Sequence, residues 1–186
     1  MNSGRAVLAV STALAIVAGA GVAVVSWPSV PLRLVDLAGG ACAGYQPPDR
    51  TKSMSVSLPV RNDSGEDVTV LGAHPFGTVH AERVRLRVLP GHDEHPNSFG
   101  PFSSLVDGRP VEPLIGAVLP AHRTSTVIVT ITRQDDAAFA AIDGVTIAQR
   151  GTFGTVRTTS LPAWLGVAAA GRIDECRGDA PEENRT

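Results

Sequence analysis

An excess of charge of either sign is missing from this chain. Its 186 residues include 16 basic and 18 acidic side chains, for a formal net charge of -2. No broad basic field draws it onto nucleic acid, so no nucleic-acid partner is expected. Lysine is almost absent: Lys52 stands alone and the other basic residues are arginines. Cysteine occurs twice, as Cys42 and Cys176, so a metal centre would have to recruit histidines from elsewhere. Also missing are a G-x-S-x-G, a phosphate-binding glycine loop, an H-E-x-x-H and a recognisable nucleophile–base pair. No catalytic residue is assigned, and neither enzyme activity nor a cofactor is expected.

What is present in quantity is one apolar run. Residues 6–25, AVLAVSTALAIVAGAGVAVV, are twenty positions without a charge, enough to cross a hydrocarbon core roughly 30 Å thick as a helix. Arg5 precedes the run and Trp27 follows it, which suits an N-in orientation with an aromatic at the outer interface. The alternative is a cleaved signal peptide with small residues at 18–20 or 21–23. The run exceeds the usual 7–15 residues of a signal-peptide core, which favours an anchor. Both readings place the rest of the chain outside the cytoplasm, and the anchor reading makes the bilayer a partner of residues 6–25.

Cys42 lies in DLAGGACAGYQ. A lipid-attachment site would want an aliphatic residue three positions earlier, where Gly39 stands, and an apolar stretch directly upstream, where Pro28, Pro31, Arg33 and Asp36 intervene. In an oxidising compartment two lone cysteines most simply pair with each other. A Cys42–Cys176 bridge closes more than 130 residues, and the chain-entropy treatment gives such a loop about 5 kcal/mol at most.

Between the cysteines the apolar period is two. Met54, Val56, Leu58 and Val60 alternate with polar neighbours, and Val84, Leu86 and Val88 alternate with Arg83, Arg85 and Arg87. These stretches read as strands with one wet face. Further strands are expected over 67–73, 124–132, 143–149 and 152–159, with little helix beyond 135–141. One-sided alternation points to antiparallel sheets. The expected fold is all-β, an Ig-like antiparallel β-sandwich of about seven strands, preceded by one N-terminal transmembrane helix. Residues 1–26 form the anchor, 27–41 a linker, 42–176 the sandwich domain and 177–186 a flexible acidic tail.

Two runs carry a resemblance. Residues 58–71, LPVRNDSGEDVTVL, are similar to the strand, turn, strand hairpin that opens many bacterial extracytoplasmic Ig-like domains. Residues 119–131, LPAHRTSTVIVTI, resemble their later turn and Ser/Thr-rich strand, with Ala121-His122 where Pro-Gly is common. Membrane-anchored proteins of actinobacterial type share this pattern. The resemblance implies a fold and an envelope address but no activity.

Three surfaces are candidates for binding. His92 and His95 flank Asp93 and Glu94 in the densest polar cluster, a weak candidate for metal ligation without a signature spacing. They open a long irregular stretch to about residue 113 that contains Phe99 and Phe102. Loops this long inside a domain are usually functional or disordered; His92, His95, Phe99 and Phe102 form a candidate partner-binding loop, with packing of the aromatics on the end of the sandwich, or disorder, as the alternatives. The Arg83, Arg85 and Arg87 stripe is a candidate reader of anionic polymers or lipid head groups. The expectation is a single-pass, non-catalytic interaction module with an envelope protein or wall polymer as partner. A small-ligand or metal-binding secreted domain and an accessory subunit of an envelope enzyme or transporter are the alternatives. If the cysteines pair, a thiol-reactive label enters the folded protein only after reduction; labelling of both thiols without reductant would contradict the pairing.

Overall fold

Period-two burial builds the domain. The computed structural model describes residues 32–35, 40–45, 51–91, 98–151 and 153–179. Residues 6–25, His92 and His95 lie outside them. In chain order the strands are β1 (Leu32–Leu34), β2 (Ala41–Gly44), β3 (Ser53–Asn62), β4 (Val68–Phe76), β5 (Ala81–Leu89), β6 (Phe99–Gly100), β7 (Glu112–Pro113), β8 (Val118–Leu119), β9 (Thr124–Arg133), β10 (Phe139–Gly151) and β11 (Val156–Ala168). Helix α1 (Phe102–Val106) follows β6, and α2 (Ile173–Asp179) follows β11.

Two sheets form. In sheet I the order is β1-β3-β9-β5-β7, with β6 also on β3; in sheet II it is β2-β11-β10-β4-β8. Between them pack Met54, Val56, Leu58 and Val60 of β3 and Val127, Val129 and Ile131 of β9. Facing these are Ile142, Val145 and Ile147 of β10 and Leu161, Ala163, Leu165 and Val167 of β11. Each fully buried aliphatic side chain of valine size or larger contributes about 1.5–3 kcal/mol. The chain is an all-β sandwich of two sheets.

One buried polar side chain joins the sheets. Asn62 ends β3 with no solvent exposure. Its Nδ2 donates to the carbonyls of Glu66 (2.9 Å) and Leu119 (3.0 Å), and its Oδ1 accepts from Ser64 N (3.0 Å) and Ser64 Oγ (2.6 Å). The Asn-Asp-Ser-Gly turn is thus held from inside.

Several expectations are corrected. Eleven strands occur among the described residues, six long and five short, because short edge strands escape a periodicity test. Not all are antiparallel: β2 runs parallel to β11. The stretch read as a linker supplies β1, which pairs with β3 and buries Leu32. Residues 177–179, assigned to the tail, continue α2. Residues 135–141 are not helical. The buried Arg133 donates through Nη1 to the carbonyls of Gln134 (3.0 Å) and Ala137, holding a loop, and β10 begins at Phe139. The serine face of β3 is not wet either, since Ser55 and Ser57 are buried.

The Cys42–Cys176 disulfide joins β2 to α2, with the Cα atoms 6.3 Å apart. It lies on the outer face of β11 in a small cluster of Trp164, Ala168, Ala141, Phe139 and Ile173. Gly166 makes the room: a Cβ there would stand 2.3 Å from Cys176 Sγ and 2.8 Å from the Trp164 ring. Gly166→Ala is expected to destabilise the oxidised protein by about 2–4 kcal/mol, read by urea unfolding. After reduction the penalty is expected to shrink, because the freed sulfur can move.

Candidate functional site

The strongest surface grows from the register of sheet I. Arg83, Arg85 and Arg87 stand on the outer face of β5, exposed, while Val84, Leu86 and Val88 turn inward. Successive arginines along the row are about 7 Å apart. Across β9 they lie beside Thr132, Thr130 and Ile128, and β3 adds Ser53, Ser55 and Ser57. The hydroxyls satisfy one another: Ser53 with Thr132 at 2.8 Å, and Ser55 with Thr130 at 2.7 Å. This pairing lets a polar face be covered without unmet hydrogen bonds.

The cover is the segment after residue 97. Ser98 docks on the edge of β3 through three hydrogen bonds with Ser57, each 3.0 Å. Helix α1 then packs Val106 against Leu89 and Ile128, with Phe102, Leu105 and Val111 around them. Asp107 ends the helix in the left-handed region, φ 47°. Arg109 donates to the carbonyls of Val106 (3.0 Å) and Leu105 (3.1 Å), closing its last turn. The Phe102 ring comes to rest under the Arg87 guanidinium, 4.8 Å from its centroid. Such a contact is worth about 0.5–1 kcal/mol at an exposed site. One residue of the candidate loop, Phe102, thus joins the arginine row in a single surface.

Phe99 is not part of it. As a β6 residue opposite Val56, it is half-buried against the main core. His92 and His95 lie outside the described residues. His74 pairs in register with Thr146 on sheet II, His80 sits edge-on to Phe139 with centroids 5.8 Å apart, and His122 occupies the β8–β9 turn. Among the described residues no group of three His, Cys, Asp or Glu side chains is placed to hold a metal. A pocket under the β10–β11 hairpin, lined by Ser64, Glu66, Gln149 and Arg157 among others, has a volume of about 20 Å³, room for one water and not for an organic ligand.

Sequence reasoning passed over Arg109, Arg133 and Phe153. The first two act on backbone carbonyls, which no side-chain pattern reveals. Phe153 had a signal, an aromatic beside Gly154 in a hairpin tip, and it is 90% exposed. Among the described residues no helix is long and apolar enough to cross a membrane.

No protein-family model matches this chain, and no curated protein matches it. Among solved structures it is similar to the ASH/PapD-like domain of human CEP192 (PapD-like domain 7), at 12% identity and TM-score 0.39, over 77% of this chain and 87% of that one. It is also similar to part of a family 123 glycoside hydrolase from Clostridium perfringens, at 6% identity and TM-score 0.37, over 74% of this chain and 27% of the enzyme. Likeness at this level says nothing about activity.

At the end of the sandwich that carries β1, Asp63 accepts hydrogen bonds from Arg33 and from Arg61, the latter at 2.7 Å. Desolvation pushes its carboxyl up, but the hydrogen bonds and charges of the two guanidiniums together outweigh this and hold it below the ordinary 3.8. A depressed carboxyl stabilises the fold above its unfolded pKa, and that stability is lost as pH falls through the folded value. Asp63→Asn is therefore expected to lower stability slightly at pH 7 and to flatten the loss as pH falls below the unfolded carboxyl's pKa, measured by urea unfolding across pH.

Proposed function

We propose that this chain is a non-catalytic binding module displayed outside the cytoplasm and held to the membrane by residues 6–25. It takes an anionic envelope partner, a wall polymer or an acidic protein surface, on the outer face of sheet I. The Cys42–Cys176 disulfide carries the address, since such bonds persist in oxidising compartments and are rare in the cytosol. Its position suits an exported domain, where it fastens the start of sheet II to the last helix. Cleavage after the apolar run would release the same module as a secreted form.

The binding role rests on the arginine row. Arg83 and Arg85 form no ion pair among the described residues, so their charge is available to a partner. Arg87 is oriented by Phe102. Guanidiniums at this spacing match carboxylates or phosphates repeated along a chain. The neighbouring hydroxyls of Thr130 and Thr132 offer further hydrogen bonds at partial exposure.

The test is binding of the purified full chain to anionic wall polymer. At low salt each exposed charge pair contributes up to about 1 kcal/mol. The triple change of Arg83, Arg85 and Arg87 to Ser is expected to weaken binding by about tenfold or more, and added salt to weaken the native protein similarly. Unchanged affinity in the triple variant would remove this face as the binding surface.

A further inference from the structure

Strand register decides which end of the sandwich lies nearest the apolar N-terminal run. Leu32 pairs with Asn62, the last residue of β3. The 63–67 turn leads from there to Val68, which pairs with both Gly151 and Leu119. One end of the domain therefore gathers β1, the β3–β4 turn, the β8–β9 turn and the β10–β11 hairpin. Six residues, 26–31, separate the run from Leu32. Fully extended, the step from residue 25 to residue 32 covers no more than about 25 Å. The ten residues of β3 span about 33 Å. If residues 6–25 are in the bilayer, this tether is too short to stand the sandwich upside down.

At the near end the hairpin carries a bare aromatic. Gly154, at φ +78°, donates its N–H to the Gly151 carbonyl at 2.9 Å. The tight turn leaves Phe153 90% exposed, and Val156 beside it is 56% exposed. A phenyl ring held out on a hairpin tip has little to gain in water. Arg33, Arg61, Arg123, Arg150 and Arg157 lie at or next to this end, against Asp63, Glu66 and Asp67. The balance among the described residues is positive.

We infer that this end rests on the bilayer surface, with Phe153 seated at the head-group level and the arginines beside anionic lipid phosphates. Apolar side chains such as Phe on membrane-surface elements enter the boundary between head groups and acyl chains, and basic residues near a membrane surface are attracted to anionic lipid. The inference rests on the anchored reading above and adds an orientation to it: the disulfide end points away from the membrane, and the arginine row of sheet I stands on the side wall.

The test uses the full chain reconstituted into vesicles of anionic and zwitterionic phospholipid that contain a head-group spin-labelled lipid. A fluorophore is attached through Phe153→Cys or, at the far end, through Asp136→Cys, an exposed position in the β9–β10 connection. The native cysteines are paired and do not react. Expected is a several-fold loss of emission at position 153 with little at position 136. Equal or greater quenching at position 136 overturns the orientation. Absence of quenching at position 153 in chains that float with the vesicles after an alkaline wash overturns it while leaving the anchor standing. A blue shift at position 153 without lipid quenching shows burial against a second copy and overturns it likewise. Chains that fail to float contradict the anchor and the inference together.

Discussion

A single buried amide sets the geometry of the near end of this sandwich. Asn62 spends both its donors and its acceptor on the β3–β4 turn and on Leu119 of β8, so sheet I and sheet II are joined by hydrogen bonds as well as by apolar packing. A side chain so placed is costly to truncate, because each partner would be left without water to replace it. The path of the turn and its approach to β8 follow from it.

The second organising fact is that each sheet carries a small covered patch on its outer face. On sheet II the cover is α2, pinned by the disulfide over Gly166 and Trp164. On sheet I the cover is α1 and its flanking segments, which pack on Leu89 and Ile128 and bring Phe102 to Arg87. The paired hydroxyls of Ser53, Ser55, Thr130 and Thr132 make the transition from covered to open face without stranded polar groups. The arginine row is what remains uncovered, and the same packing that hides one half of the face orients the other.

The sequence was most legible where burial is one-sided. β5 and β9 stand within two residues of their expected bounds, and the arginine face of β5 is exposed as its alternation implied. The cysteine pairing followed from compartment and count, and the structure places the two within bonding distance. β11 was cut short because its second half, Ser160–Ala168, holds Pro162 and Gly166 and is apolar toward both the core and the disulfide cluster. The run DDAAFAA looked helical by composition, yet Arg133 takes the loop carbonyls, and Phe139 and Ala141 pair with Ala168 and Gly166. Helix α1 is five residues long, too short for a period to show, so the meeting of Phe102 and Arg87 was out of reach without tertiary structure.

The proposed binding role puts the working surface of this stapled sandwich on its open arginine face. The most direct measurement places a photo-crosslinking residue at Arg85 in the full chain and captures partners in native membranes, with a matched probe at Thr158 on the outer face of sheet II. The account predicts one anionic partner captured from position 85, absent from position 158 and lost when Arg83 and Arg87 are also replaced. Identical capture from both positions, or none from position 85, would contradict it.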